Sequence, residues 1–391
     1  MLYYLSGARL PSKKAHVIQQ VRMCQAFSRA GEEVTLLTPR NTSDVTTWRQ
    51  LSDYYGLDTP FDIQVVPTLS RDRSIPIPNV PNTDHMGMTA WLMYRFVTGG
   101  FSPGDIIYSR NPYPTWFFLH AIRGLSRRGD IAVWFEQHQS TRGLNDGFYA
   151  SLDGLVCISH RQVELVAQHH DLDKLPVCVA HDGVDLNLYE RLSKSAARDQ
   201  LNIDQNESIV MYTGHLYESK NVEILVSAAR DIDAACYIVG GYEEDIRRIK
   251  STMEIPPNVH FTGFVPPKQV PIYQTAADIL VATVAQNTEL AYFSPLKLFE
   301  YMATGNPIVV SHKPEYEEVL THGETVMFVT PEAPYELSDT INRLLKDPSL
   351  MRRLGVQAQN SVQQYSWETR ASEILAQVRS NLRLRPGQLT A

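Results

Sequence analysis

Two series of short apolar segments, separated by one polar stretch, constrain the fold of this 391-residue chain more than any other feature. Nearly every apolar segment is followed by a segment of helical length. Continuous runs rich in β-branched and aromatic residues are typical of strands in a parallel sheet covered on both faces. The first series comprises LYYL, EVTLLT, IQVVP, DIIYS, IAVWFE, LDGLVCIS and LPVCVA. The second comprises SIVMYTG, ACYIVGG, NVHFTGF, DILVAT, NPIVVS and TVMFVT.

The polar stretch is residues 185–208, DLNLYERLSKSAARDQLNIDQNES. Two strand–helix series on either side of it predict an α/β chain with two Rossmann-like domains, each a doubly wound parallel sheet, facing a cleft. The predicted bounds are 1–188 for the first domain and 189–365 for the second. A helix over about 366–384, with Ser366 as its N-cap, is predicted to pack back across the junction.

Charge and composition narrow the functional class. The net charge is −7 and no long basic run offsets it, which disfavours nucleic-acid binding. No segment approaches the ~18 apolar residues of a membrane span. The apolar stretch at the N-terminus, about five residues, is too short for a signal-peptide core. The four cysteines contain no CxxC pair and are predicted to be buried thiols. We therefore expect a cytoplasmic protein.

Two common nucleotide-binding classes do not fit the sequence. A nicotinamide-dependent dehydrogenase needs a GxGxxG turn after the first strand, but the segment there, SGARLPSKKAH, contains a single glycine. A P-loop NTPase needs GxxxxGK[ST], which is absent.

Segment 293–311, FSPLKLFEYMATGNPIVVS, is the most informative about function. Ser294 as N-cap and Pro295 at the first helical position predict a helix start. Because this helix follows a strand, its N-terminus is expected at the carboxyl edge of the sheet, where free N–H groups and the helix dipole favour a diphosphate. Lys297 can add a full charge, and Glu300 can accept hydrogen bonds from a ribose diol. An ordinary capped helix with a solvated Lys–Glu pair explains the same residues, so both interpretations stay open.

The same segment resembles the donor-binding helix of the retaining GT-B glycosyltransferases of group 1, which are family 4-like. In that family a Glu-x7-Glu motif leads into a helix. The helix is followed by a Gly-x-Pro segment, at which the next strand begins. Glu300 matches the second glutamate, and the resemblance implies that it binds the nucleotide ribose. Tyr292 replaces the first glutamate, Glu289 is a nearby candidate substitute, and Ser-Pro-Leu-Lys is a variant of the usual helix start. The resemblance implies donor contacts from Ser294, Pro295, Leu296 and Lys297.

A second resemblance lies in segment 212–221, YTGHLYESKN, where the family has Gly-Arg-Leu-x-x-x-Lys-Gly. Gly214 matches the turn glycine and Lys220 matches the lysine. The resemblance implies that Lys220 is a catalytic residue that clamps the donor diphosphate, where negative charge accumulates as the glycosidic bond breaks. His215 replaces the arginine, and it is either a phosphate contact or a neutral turn residue.

Further candidates follow other predicted strands. Phe264 and Val265 resemble the family residues that border the nucleotide base. Gly7 lies in the loop expected to face the cleft. His138, after strand IAVWFE, matches the region where a family histidine contacts the donor sugar, so it is the candidate catalytic histidine; a purely structural histidine is the alternative. Arg110 follows another strand, where an acceptor can bind.

The resemblance implies a retaining transferase that moves a hexose-type sugar from a nucleotide-sugar, a UDP-sugar first and a GDP-sugar next, to a hydroxyl acceptor. The acceptor is expected to be a sugar, a glycan or a lipid-linked molecule in glycan, cell-envelope polysaccharide or glycolipid synthesis. We expect no cofactor and no metal, because no DxD-like metal motif lies at a predicted strand end near these sites and Lys220, Lys297 and the helix dipole supply positive charge. The alternatives are a nucleotide-sugar 2-epimerase-like isomerase and an inactive nucleotide-binding homologue.

Two aromatic, amphipathic segments, 86–101 and 116–128, have two interpretations. They are either core-facing helices or a surface that contacts a membrane at its inner face or a lipid-linked acceptor.

Overall fold

The computed structural model describes residues 1–40, 47–67, 83–122, 125, 131–138, 144–288 and 296–383. Contacts divide these residues into two compact units. The first domain comprises the described residues up to His181 and from Trp367 onward, and the second comprises those between Asp182 and Ser366. Within the described ranges, no helix is both long enough and apolar enough to span a bilayer.

The first domain alternates strands and helices. Its elements are β1 (Leu2–Leu5), α1 (Ala15–Arg29), β2 (Val34–Pro39), α2 (Trp48–Tyr55), β3 (Asp62–Val66), α3 (Thr83–Val97), β4 (Asp105–Ser109), α4 (Pro112–Ala121), β5 (Ile131–Glu136), α5 (Asp146–Tyr149), β6 (Gly154–Cys157), α6 (His160–Ala167), β7 (Val177–Val179) and, from the C-terminal part, α15 (Trp367–Arg383). The helix starts follow local chemistry, as in α6, where the Ser159 side chain accepts the Gln162 backbone N–H.

The strands of the first domain are parallel and lie in the order β3-β2-β1-β4-β5-β6-β7. The direction of winding therefore reverses between β1 and β4. Helix α15 packs against α1, β5 and β7. Its residue Glu368 accepts a hydrogen bond from Arg29 of α1.

The second domain repeats the pattern. Its elements are α7 (Asn187–Glu190), α8 (Lys194–Leu201), β8 (Ile209–Thr213), α9 (Glu223–Ala228), β9 (Ala235–Val239), α10 (Glu243–Thr252), β10 (Val259–Gly263), α11 (Val270–Ala276), β11 (Ile279–Ala282), α12 (Leu296–Thr304), β12 (Ile308–Ser311), β13 (Met327–Val329), α13 (Pro334–Leu345) and α14 (Pro348–Ser361).

Both faces of the second sheet are covered. The strands are parallel and ordered β10-β9-β8-β11-β12-β13. Ile209 and Met211 of β8 pack into one buried cluster, whereas Val210 and Tyr212 pack into another. Since successive side chains of a strand point to opposite faces, the sheet lies between two apolar layers. The predicted doubly wound α/β fold is confirmed, and winding reverses between β8 and β11.

The junction lies a few residues earlier than the sequence interpretation places it. The Val184 N–H donates to the Tyr365 carbonyl at 3.0 Å, and Val184 and Tyr189 are buried in a second-domain cluster. By contacts, the first compact unit ends at His181, seven residues before the predicted bound at 188. The cause is a contact between segments far apart in sequence, which residue patterns do not reveal.

Candidate functional site

The second sheet has its switch point between β8 and β11, and ligands of open α/β sheets bind outside the carboxyl ends of strands at such a point. Gly214 follows β8 directly, and Lys220 ends a 3₁₀ turn, Glu218–Lys220, a few residues later. Lys297 and Glu300 belong to α12, the next helix after β11. The predicted donor residues of the second domain thus belong to elements on both sides of the switch point.

Lys297 lies over an aromatic ring beside the glycine turn. Its Nζ atom is 3.9 Å from the centroid of the fully buried Tyr212 ring, whose negative face stabilises the ammonium. Gly214 has φ +136°, and an added Cβ atom would lie 2.9 Å from Lys297 Nζ. The backbone conformation therefore favours glycine here, and a larger residue would displace the Lys297 ammonium. The Tyr212 hydroxyl donates to the His215 carbonyl at 2.7 Å, which fixes the turn.

The two lysines disfavour each other's charge. Burial lowers the pKa of Lys220 below its ordinary value. Burial, followed by the charge of Lys220, lowers the pKa of Lys297 well below its ordinary value, although Glu300 opposes this shift. A polyanion bound beside both ammonium groups would reverse the unfavourable interaction, because an opposite charge favours the protonated form.

Backbone contacts fix the position of Lys220. The Thr283 hydroxyl, just after β11, donates to the Lys220 carbonyl at 2.6 Å. The Ala285 N–H donates to the Ser219 carbonyl at 3.1 Å. Asn221, where the family has its second glycine, has φ +46°, a left-handed conformation that asparagine tolerates better than most residues. The turn that carries Lys220 is therefore held to the segment after β11.

Glu300 contacts a buried glutamine. The Gln274 side-chain amide donates to Glu300 Oε2 at 2.8 Å and to Thr213 Oγ1 at 3.0 Å. The Tyr301 hydroxyl accepts the Thr213 backbone N–H at 2.8 Å. These bonds connect α12 to the carboxyl end of β8.

The other predicted residues of this domain lie at the same edge of the sheet. Phe264 and Val265 follow β10, where the Gly240 N–H donates to the Gly263 carbonyl at 2.8 Å. Phe264 is 36% exposed, whereas Val265 packs against the core. The imidazole ring of His215 stacks on the ring of Tyr217, with 4.8 Å between centroids.

Some predicted residues lie outside the described ranges. These are Ser294 and Pro295, together with Tyr292 and its candidate substitute Glu289. Leu296 is the first residue of α12. The predicted N-cap and proline start of this helix therefore stay predictions.

In the first domain, the predicted residues follow three adjacent strands. Gly7 comes after β1, Arg110 directly after β4, and His138 two residues after β5. Because the strands are parallel, these positions share the carboxyl edge at that sheet's own switch point. A Cβ atom at Gly7 would lie 2.4 Å from the Asn111 side-chain nitrogen, so glycine allows this close approach.

A fully buried carboxylate, Glu136, contacts His138. Glu136 Oε1 accepts from Gln19 at 2.8 Å and from Arg370 of α15 at 3.0 Å. The Tyr108 hydroxyl donates to its other oxygen, and His138 Nε2 also contacts Oε1. Burial alone would raise the pKa of Glu136, but Arg370 and His138 outweigh it and hold that pKa well below its usual range. An anionic Glu136 therefore orients the His138 ring.

Two family models match the chain. "Glycosyl transferases group 1" matches residues 193–361, and "Glycosyltransferase Family 4" matches residues 19–188. The chain belongs to the group 1 glycosyltransferases. The family resemblance predicted from the segments after β8 and β11 is thereby confirmed.

Individual relatives of this group 1 chain are distant. A D-inositol 3-phosphate glycosyltransferase of Rhodococcus jostii is 22% identical over 245 residues, 59% of this chain and 53% of the relative. The chain thus spans about half the length of that curated relative. Sucrose-phosphate synthase from Thermosynechococcus elongatus superposes with a TM-score of 0.74 at 18% identity, covering 98% and 99% of the two chains. Anabaena HepE in complex with UDP-glucose gives 0.68 at 16%, covering 97% and 99%. These structures confirm the predicted GT-B fold.

Sequence reasoning missed several side chains that contact the candidate residues within each domain. Tyr212 and Tyr301 lie within apolar runs and are indistinguishable there from ordinary core residues. Gln274 lies beside Thr275 in a short, mostly apolar helix, and Glu136 is the last residue of the apolar strand IAVWFE. Arg370 lies more than two hundred residues from its partner Glu136. Local patterns do not reveal the partners in these contacts. The one local signal is a charged or amide residue within an otherwise apolar face, which marks the residue but not what it contacts.

Proposed function

We propose that this chain is a retaining glycosyltransferase that moves a hexose-type sugar from a nucleotide-sugar to a hydroxyl acceptor. One observation carries the proposal: the second domain presents two lysines, Lys220 and Lys297, and the carboxylate of Glu300 around the switch point of its sheet. Two clustered cations suit a diphosphate, and a carboxylate beside them suits a ribose diol.

The proposed chemistry needs little from the protein beyond positioning and charge. The acceptor hydroxyl attacks on the face from which the diphosphate departs, and the departing diphosphate takes up the hydroxyl proton. Negative charge grows on the diphosphate as the glycosidic bond breaks, and fixed ammonium groups stabilise it. We assign this role to Lys220 and Lys297, which can do so without a metal ion. His138, held by Glu136, is proposed to contact the donor sugar.

A UDP-sugar is the first candidate donor, and a GDP-sugar is the second. Support comes from Anabaena HepE, a protein of the same fold that has been solved with UDP and with UDP-glucose. The nucleotide base is proposed to lie near Phe264 and Val265, after β10.

The donor class can be tested by thermal stabilisation. We expect one of UDP, GDP, ADP and dTDP to raise the unfolding temperature of the purified chain, with and without EDTA. A ligand at about one hundred times its dissociation constant stabilises the folded state by ~2.7 kcal/mol, which is readily detected. Stabilisation that disappears with EDTA would contradict the metal-independent part of the proposal.

Turnover then separates the remaining alternatives. Transfer from the matching nucleotide-sugar with retained configuration supports the proposal. An isomeric nucleotide-sugar formed without an acceptor would instead indicate a 2-epimerase-like enzyme. Nucleotide binding without turnover of any donor would indicate an inactive homologue, and no stabilisation by any nucleotide would contradict the proposed donor site.

A membrane or lipid-linked acceptor is proposed from an exposed apolar face of the first domain. Met88, Leu92 and Phe96 of α3 are buried, as the core-facing interpretation predicts. The opposite side of α3 carries Tyr94 at 66% and Val97 at 73% exposure. Met86 of α3 is also exposed, as are Tyr113 and Phe117 of the neighbouring α4. Apolar faces of this kind bind the interface between lipid headgroups and acyl chains.

Vesicle sedimentation tests this surface. We expect the double variant Tyr94→Ser/Phe117→Ser to bind anionic phospholipid vesicles at least about threefold more weakly than the unmodified chain, since buried apolar area drives interfacial binding. The control is Tyr335→Ser, which alters a 79% exposed tyrosine of α13 in the second domain and should leave binding unchanged. Equal binding by all three proteins, or none, would contradict a contact through this face.

A further inference from the structure

A fully buried glutamine connects three parts of the second domain. Gln274 of α11 accepts a hydrogen bond on Oε1 from the Tyr189 hydroxyl at 2.6 Å. Its Nε2 atom donates to Thr213 Oγ1 at 3.0 Å and to Glu300 Oε2 at 2.8 Å. Its backbone carbonyl accepts from the Asn306 side chain at 3.2 Å. The amide thus contacts α7, the end of β8 and α12.

The chemistry of its partners determines which way this amide points. An ionised carboxylate can only accept hydrogen bonds, so the atom of Gln274 beside Glu300 must be the nitrogen. The oxygen then faces Tyr189, whose hydroxyl can donate. A flipped amide would place two acceptors, Oε1 and the Glu300 carboxylate, at hydrogen-bond distance and would be repelled. The network therefore holds the amide in one orientation.

One consequence concerns the carboxylate itself. Glu300 reaches from the helix through three rotatable bonds, and a charge-assisted hydrogen bond from a fixed, buried donor restricts them. A neutral amide donor also orients the carboxylate without neutralising its charge, whereas a lysine or arginine at that position would neutralise it.

We propose that Gln274 is a positioning residue that orients the Glu300 carboxylate for the ribose diol of the donor, and so determines how strongly the site prefers a ribonucleotide. This inference rests on the proposed function, because it assumes that a nucleoside diphosphate binds beside Glu300. Gln274 acts through Glu300 and need not touch the nucleotide.

The test compares a ribonucleotide with its deoxy forms. The dissociation constants of UDP, 2′-deoxy-UDP and 3′-deoxy-UDP are measured by calorimetry for the unmodified chain and for Gln274→Met, which keeps the side-chain length but removes the amide. We expect Gln274→Met to weaken UDP binding about tenfold and deoxy-UDP binding less than about twofold. The reason is that a misoriented Glu300 carboxylate weakens binding only of a nucleotide whose ribose hydroxyls it contacts. A purely structural role would weaken all three equally, and that result would overturn the proposal.

Two further variants keep the test decisive. Tyr189→Phe removes one bond of Gln274 without touching Glu300, and we expect it to reduce the UDP preference in the same direction by a smaller factor, about two- to threefold, as expected for a neutral hydrogen bond. If Gln274→Met does not fold, an unchanged preference in Tyr189→Phe overturns the proposal by itself. Tyr237→Phe, which loses only the hydroxyl contact to Glu207, is the matched control and should keep the full preference.

The outcomes for the unmodified chain separate the two proposals. If it binds none of the nucleoside diphosphates, the proposed function fails and this inference fails with it. If it binds UDP and prefers it over both deoxy forms, but Gln274→Met retains that preference, only the inference fails. Should another nucleotide stabilise the chain in the thermal screen, its own ribo and deoxy diphosphates replace the uridine series.

Discussion

Replacing Lys220 with methionine is expected to lower the rate of sugar transfer by about 10²–10³-fold, because a fixed cation that stabilises developing charge contributes an effect of this size. Methionine retains most of the apolar stem of lysine, and the bond from Thr283 to the backbone of residue 220 does not depend on the side chain. The variant should therefore fold normally. Initial rates at saturating acceptor, with the donor varied, measure the effect.

Proton uptake gives a second readout of the same lysine pair. Burial and the charge of Lys220 lower the pKa of Lys297 in the free protein, whereas a bound diphosphate would raise it. Nucleotide binding should then take up protons, and affinity should fall as pH rises through the free-protein pKa of Lys297. In Lys220→Met the repulsion is absent, so the pKa of Lys297 rises and the proton uptake at a given pH becomes smaller.

Calorimetry in buffers of different ionisation enthalpy measures this uptake directly. The matched control is Lys346→Met, which removes an exposed lysine at the C-terminus of α13 and should change neither rate nor proton uptake. Wild-type transfer rates in Lys220→Met would exclude its role at the diphosphate. Identical proton uptake before and after the substitution would show that the two ammonium groups do not interact.

Separating the buried pair Glu136 and Arg370 is expected to cost stability as well as activity. Arg370→Leu leaves Glu136 buried without its strongest cationic partner, and removal of one member of a buried ion pair lowers the free energy of unfolding by about 3–5 kcal/mol. Transfer should also fall, because Glu136 orients His138. Urea denaturation measures the first effect, and donor turnover measures the second.

A double-mutant cycle distinguishes the pair from two independent residues. The double variant Glu136→Leu/Arg370→Leu should lose less stability than the sum of the two single variants, because no unpaired charge stays buried. Arg161→Leu is the control: it breaks the exposed contact with Glu164 and should change stability by less than about 1 kcal/mol. Simple additivity of the Glu136 and Arg370 substitutions would contradict the assigned pair.

The pH dependence of stability follows from the same carboxylate. The pKa of Glu136 is lower in the folded protein than in the unfolded chain. Its contribution to stability is therefore fully present above an unfolded pKa of about 4.3 and is lost as pH falls through the folded value. Glu136→Gln should accordingly show a weaker loss of stability on acidification over that window than the unmodified chain.

Much of the fold follows from local pattern alone. The run SIVMYTG contains β8 and ends on the glycine that starts the candidate phosphate turn, and FSPLKLFEYMATG contains α12. These predictions succeeded because continuous apolar runs, turn glycines and amphipathic helices are encoded by neighbouring residues. Local pattern did not reveal the domain junction, because a contact between distant segments determines it. Val184 pairs with Ser366, and the first residues after His181 therefore belong to the second domain.

The sequence by itself determined that this chain has two parallel-sheet domains, that it resembles the group 1 glycosyltransferases, and that Lys220, Lys297 and Glu300 follow strands of the second series. The tertiary structure decided how those side chains are supported: Lys297 by the ring of Tyr212, and Glu300 by the amide of Gln274. It also decided that Arg370 of the C-terminal helix binds Glu136. The physical reason is that strand and helix propensity depend on near neighbours, whereas the orientation and charge of a buried side chain depend on partners that only folding brings within hydrogen-bond distance.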